Sequence, residues 1–167
     1  MPGYAAIALD NPKNTDNVGG VIRAAGNYGA ALVVVGARRF DVVQPGDTNK
    51  TALQMPILRT GDVFDAIPFD CVPVAIELLP EATPLPDYTH PERAFYIFGG
   101  ENHTLGKRIT SRSRDVVYVP TDGCMNLAAC VNVVLYDRAL KRSDWPTVVN
   151  AKTETSAPGL KQDKRTP

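Results

Sequence analysis

The chain has 167 residues, 44% of them hydrophobic and 22% charged, and its 18 Lys and Arg balance 18 Asp and Glu to a formal net charge of zero. That size fits one domain around a single core, and the neutral balance argues neither for nor against nucleic-acid binding, which would need a local basic patch. Three cysteines without a C-x-x-C pair and two distant histidines, His90 and His103, argue against a disulfide framework or a resident metal and for a reducing, cytoplasmic setting; no apolar run nears the roughly 20 residues of a membrane span, and the N-terminus does not read as a signal peptide.

In chain order, Tyr4 to Leu9 (YAAIAL) is a short apolar run suited to a buried strand, broken by Asp10 to Asn14. A helix is predicted from Asp16 or Asn17, both good N-caps, to a stop at Gly29. Ala31 to Val35 (ALVVV) is a continuous apolar run of the kind covered on both sheet faces. Arg38 to Lys50 reads as irregular, and Thr60 to Ile67 as a short helix with Val63, Phe64 and Ile67 at core spacing. Val72 to Ile76 is a further strand, followed from Pro80 to Pro91 by a loop with four prolines. Ala94 to Phe98 (AFYIF) is another strand, and a basic segment runs from Lys107 to Arg114. Asp115 to Val119 is a strand, residues 120–125 form a polar loop, and a helix without Pro or Gly extends from about Asn126 to Leu140. The alternation predicts an α/β fold with a mostly parallel sheet flanked by helices. The domain is expected over residues 1–143. The composition then shifts, and residues 144–167 are expected to form a flexible tail.

Three stretches could carry chemistry. Asn17-Val18-Gly19-Gly20-Val21-Ile22-Arg23 places glycines where a backbone or ligand could approach a helix closely. On the expected boundaries Arg23 stays near that helix's positive N-terminal end, where its fork suits a phosphate or oxyanion; the same residue also reads as an ordinary exposed helix arginine. Phe98-Gly99-Gly100-Glu101-Asn102 lies directly after a strand, where glycines admit a ligand to the backbone and Glu101 could accept hydrogen bonds. In the third, Pro120 to Asn126 offers backbone groups at a strand's carboxyl end, where α/β sheets bind ligands. There Asn126 is either an N-cap or an amide that holds substrate.

Taken in order, NxGxxxR, FGxE after a middle strand and VPxxxxMNLxxxV before the last helix resemble the SpoU/TrmH branch of the SPOUT RNA methyltransferases across roughly residues 4–140. The likeness is greatest to the minimal, TrmL-like single-domain members that act on tRNA. It implies methyl transfer from S-adenosylmethionine to a ribose 2′-hydroxyl of RNA, a C-terminal trefoil knot between about Ile76 and Tyr136, and a homodimer. It also implies a cofactor site at Ile76, Gly99, Gly100, Val119, Cys124, Met125 and Leu127, largely through backbone groups. Arg23, Asn126 and Glu101 would then be the catalytic group, with Arg23 reaching the other subunit's cofactor, orienting a phosphate and stabilising the developing alkoxide, since a guanidinium keeps its proton. RNA contact would fall to Asn17, Lys107, Arg108 and Arg112. The chain departs from the family pattern in having Cys124 two residues before the motif asparagine and Ala128 two after it, where serines are usual; a thiol is a weak donor, which puts one hydrogen bond in question.

Two other readings compete. Val33 to Arg39 looks like a second Rossmann strand with arginines for the 2′-phosphate of NADP, although the first strand–helix turn lacks G-x-G-x-x-G. The replaced serines would also suit an RNA-binding module whose catalysis has decayed.

Overall fold

The computed structural model describes residues 3–36, 47, 50–100 and 104–143. The expected tail, Glu101 to His103 and the arginines at 38 and 39 lie outside these residues. The elements are β1 (Tyr4–Asp10), α1 (Thr15–Asn27), β2 (Leu32–Gly36), β3 (Ile57–Thr60), β4 (Val72–Ile76), β5 (Thr83–Pro84), β6 (Arg93–Gly99), α2 (Gly106–Thr110), β7 (Asp115–Tyr118) and α3 (Leu127–Arg142). Short 3-10 turns occupy Thr51–Leu53, Val63–Ala66 and Leu85–Asp87.

All the paired strands run parallel in one seven-stranded sheet of order β3-β2-β1-β6-β4-β7-β5. The apolar runs are continuous because both faces are covered. Ile7, Leu9, Tyr96 and Phe98 turn to a core shared with α1 and α3. Ala6, Ala8, Phe95 and Ile97 turn to the opposite face, under Val63, Leu105 and Ile109. The mostly parallel α/β sheet expected from the sequence is the one found.

Three boundaries differ from the sequence expectation. Helix α1 begins at Thr15, because Asn14 and not Asp16 or Asn17 is the N-cap: Asn14 Oδ1 accepts from the amides of Asp16 at 2.8 Å and Asn17 at 3.4 Å. Arg23 is therefore the ninth of 13 helical residues, about 12 Å along the axis from the first at 1.5 Å per residue. It does not lie in the first turn, where the positive end of the dipole acts.

The helix expected over Thr60 to Ile67 is instead the edge strand β3 followed by a 3-10 turn. Asp62 Oδ1 caps that turn by accepting from Phe64 N at 3.1 Å, and the pairing of Ile57 to Thr60 with β2 satisfies the preceding backbone. The proline-rich loop contains β5, two residues long, paired with β7. Helix α3 starts one residue after its N-cap Asn126, close to expectation.

Candidate active site

With the strands parallel, their carboxyl ends share one edge of the sheet. Ile76 ends β4, Gly99 ends β6 and Tyr118 ends β7, and these strands are neighbours in the order β6-β4-β7. The loops that leave them, with the start of α3, enclose a cleft of about 1190 Å³. This is the place where a doubly wound sheet binds ligands. Ile76, Gly99, Gly100, Val119, Cys124, Met125 and Leu127 all line the cleft, and so does Asn126. Glu77, Leu78, Tyr118 and Cys130 line it as well and were not anticipated. Glu77 was findable, since it is the residue that follows β4 at the sheet's carboxyl edge.

Two glycines, Gly99 and Gly100, contribute to the β6 side of the cleft. Gly100 donates its amide to Asp10 O at 3.1 Å, and a Cβ at this position would stand 2.5 Å from Asn11 O. Only glycine lets the β6 loop lie this close to the end of β1. Across the cleft, Thr121 Oγ1 donates to Gly123 O at 2.8 Å and folds the loop before α3 on itself. Residues 121–124 are exposed, so this loop shows backbone and the Cys124 thiol to solvent. Burial pushes the Cys130 thiol up to about 11, which keeps it protonated and unreactive.

Asn126 does more than cap. Its Oδ1 accepts from the amides of Ala128 at 2.9 Å and Ala129 at 3.2 Å, while its Nδ2 donates to Asn17 Oδ1 at 2.9 Å. The first and third motifs therefore meet, although 109 residues separate them. The helices are in contact just beyond: a Cβ on Gly20 would lie 2.8 Å from Ala128 Cβ. That contact explains a small residue at 128. Arg23 is exposed on α1 and does not line this chain's cleft.

The basic segment is tied to carboxylates. Arg108 pairs with Asp10 at 2.6 Å and Asp62 at 3.3 Å, and Arg112 pairs with Asp62 at 2.6 Å while lying 3.9 Å over the Phe64 ring. The Arg112 hydrogen bond holds the Asp62 carboxyl below its usual range. Lys107, Arg108 and Arg112 are exposed, so each still presents donors to solvent. Among the described residues, no group of three or more His, Cys, Asp or Glu could hold a metal ion, and no helix is long and apolar enough to cross a membrane.

The model of the SpoU rRNA methylase family matches residues 4–136. The chain belongs to that family. No curated protein matches it. Among solved structures, it is similar to the SpoU methyltransferase AviRb from Streptomyces viridochromogenes in complex with AdoMet, at 20% identity and a TM-score of 0.73, covering 87% of this chain and 60% of that one. It is similar to the TrmH/SpoU tRNA modifying enzyme of A. aeolicus at 16% identity and a TM-score of 0.74, covering 86% and 77%. A chain described in work on 2-OH methylation of C/U34 on tRNA shares 20% identity and a TM-score of 0.71, with 86% of this chain and 99% of that one covered. The chain thus spans about 60% of AviRb and nearly all of the last relative. Membership in the SpoU family leaves the dinucleotide reading of Val33 to Arg39 without support.

The family's methyl donor is S-adenosylmethionine, and the cleft fits it. Its volume is ample against the roughly 300–1,000 Å³ of small-molecule sites. Its apolar walls (Ile76, Phe98, Val119, Leu127) suit an adenine face, and the backbone of residues 99–100 and 120–125 offers groups for the polar ends.

Proposed function

We propose that this protein is an S-adenosylmethionine-dependent RNA methyltransferase that acts, as a homodimer in the cytoplasm, on a ribose 2′-hydroxyl of tRNA. The observation that carries this reading is the cleft at the carboxyl ends of β4, β6 and β7, within the span matched by the family. The relative described in work on 2-OH methylation of C/U34 on tRNA, 99% of which this chain covers, supports tRNA as the substrate and a wobble-position ribose as the target.

S-adenosylmethionine, when bound, supplies a sulfonium-activated methyl group. The chain must hold a ribose oxygen in line with it and ease the loss of its proton. Ile76, Gly99, Gly100, Val119, Cys124, Met125 and Leu127 form the cofactor site. Asn126 fixes the loop before α3, through its cap and its bond to Asn17. Glu101 completes the catalytic group assigned from the FGxE motif.

Arg23 orients the phosphate beside the target ribose and stabilises the forming alkoxide. It cannot serve as a free base, because a guanidinium stays protonated in proteins. Its place outside its own cleft calls for a second copy, whose cleft it completes. The exposed Tyr136 and Leu140 on α3, 49% and 54% exposed, supply apolar surface for that dimer. Lys107, Arg108 and Arg112, with Asn17, meet RNA phosphates in a salt-dependent way. The polypeptide between Ile76 and Tyr136 is the segment expected to be knotted.

Mass mapping of ribose methylation in tRNA from cells with and without the protein tests the reaction; an unchanged map refutes it. Arg23→Ala is expected to lower methyl transfer by about 10²–10³-fold, as for the loss of one oxyanion-stabilising donor, with S-adenosylhomocysteine affinity unchanged. Wild-type turnover in this variant would remove Arg23 from the mechanism.

A further inference from the structure

Three loops form the cleft, and one carboxylate stands where they converge. Glu77 follows β4, the middle strand of the three. Its amide donates to Val117 O on β7 at 2.9 Å. Its Oε1 accepts from Leu78 N at 3.0 Å, and its Oε2 accepts from Leu105 N at 2.7 Å. One residue thereby ties the end of β4 to β7 on one side and to the far end of the β6 loop on the other.

The bond to Leu105 has the greater consequence. The Leu105 side chain is buried, 3% exposed, in the core beneath the sheet, and Gly106 (φ +63°) then turns the chain into α2. At the loop's near end, the Gly100 amide is held by Asp10 O. Gly100 is thus tied to β1, and Leu105, next to Thr104, is tied to Glu77. Gly100 and Thr104 line the cleft. Where a ligand is gripped by backbone groups, its affinity depends on how firmly those groups are aimed.

We infer that Glu77 is a positioning residue for the methyl donor, its carboxylate holding Leu105 and the adjoining Thr104 against the cleft; this rests on the methyl-transfer reading above. The chemistry explains why a carboxylate occupies the position. Two amide N–H groups converge on one side chain, and only a carboxylate presents an acceptor oxygen to each. Glutamine of the same shape keeps one acceptor and sets its own NH₂ against the other amide. Among the described residues no Lys or Arg forms a salt bridge with Glu77, so its partners are backbone amides and the contact is local to these loops.

Glu77→Gln separates this role from a general contribution to folding. S-adenosylhomocysteine binding is measured by calorimetry, methyl transfer to tRNA by steady-state kinetics, and thermal midpoints in parallel. The variant is expected to raise both Kd for S-adenosylhomocysteine and KM for the methyl donor about tenfold, the effect of one hydrogen bond to a charged group. Its kcat should stay within about twofold of wild type, while its melting temperature falls by no more than the roughly 3–12 °C that one such bond is worth to folding. Glu77→Ala, which removes both acceptors, should weaken binding further. An unaltered Kd and KM in Glu77→Gln overturns the inference, and so does a fall in kcat at unchanged KM, which would place Glu77 in the chemistry. A wild-type protein that binds no S-adenosylhomocysteine overturns the methyl-transfer reading, and the inference falls with it.

Discussion

The two ends of α3 hold to the sheet by opposite means. At its N-terminal end lies the cleft, formed by loops at strand ends, where Asn126 caps the helix and bonds to Asn17. Toward its C-terminal end, side chains reach into the fold. Arg138, 5% exposed, donates to Pro91 O at 2.6 Å, Glu92 O at 2.8 Å, Tyr4 O at 3.3 Å and the Tyr96 hydroxyl at 3.3 Å. His90 joins Tyr96 at 2.6 Å to Asp137 at 2.8 Å, and Lys141 closes on Asp137 at 2.8 Å. The network satisfies its hydrogen-bonding groups internally, while the loop before α3 is exposed to solvent at residues 121–124. A fold can expose a loop to a ligand at one end of a helix when the other end is anchored independently.

The largest effect should come from cutting that anchor. Arg138→Ala removes the donor shared by Pro91 O, Glu92 O, Tyr4 O and the buried Tyr96 hydroxyl, with Glu92 O keeping only the Tyr4 amide, at an expected cost of about 3–5 kcal/mol for several hydrogen bonds to a charged group. Urea unfolding measures it. If the two ends are independent, the fraction that remains folded should bind S-adenosylhomocysteine with wild-type affinity; a parallel loss of affinity would show that they are coupled. A smaller and complementary effect is expected at the cleft. Gly100→Ala forces a methyl group against the carbonyl of Asn11, and overpacking of this kind costs about 1–3 kcal/mol. Here the loop should move, so cofactor affinity should fall more than thermal stability. The reverse pattern would mean that the loop is rigid and the fold carries the strain.

The same contrast marks what could be read in the sequence. The sheet was legible because strand ends follow from apolar runs bounded by turn residues, whereas the seven residues assigned to the cofactor, all of which line the cleft, came from the family resemblance of the motifs. Asn126 was legible as a cap because a polar residue precedes an unbroken helix. Four capping residues in a row, Asn14 to Asn17, hid the start of α1 and with it the place of Arg23 along the helix. Edge strand β3 was missed because Ile-Leu-Arg-Thr neither alternates nor forms a long apolar run. The basic segment gave no sign that Asp10, 98 residues away, would pair with Arg108, or that Asp62 would bridge two arginines. Pairings set by tertiary approach leave no local periodicity. The grip of Glu77 on Leu105, 28 residues on, belongs to the same class. Arg23 presents a further limit, since the proposal sends it to a site in another copy of the chain.

The smallest effect expected is a pH dependence confined to the anchored end. The His90 side chain is wholly buried, and burial lowers its pKa from the usual 6.5, against the opposing pull of Asp137. The geometry favours the same direction. Tyr96, whose own pKa is pushed up to about 12 by burial, keeps its proton and donates it to Nδ1, while Nε2–H donates to Asp137. A second proton on the ring would have to displace the one from Tyr96, and Arg138 and Lys141 add positive charge nearby. The folded state therefore holds His90 neutral while the unfolded chain protonates it near pH 6.5, so the unfolded state binds more protons below that pH. Stability should be steady above pH 6.5 and decline as the pH falls through and below it, by at most about 1.4 kcal/mol per pH unit. Urea midpoints between pH 7.5 and 5 measure the slope, and His90→Gln should flatten it while lowering stability at every pH. Equal slopes in the two proteins would assign the pH dependence to other groups and leave the His90 network as a purely structural tie.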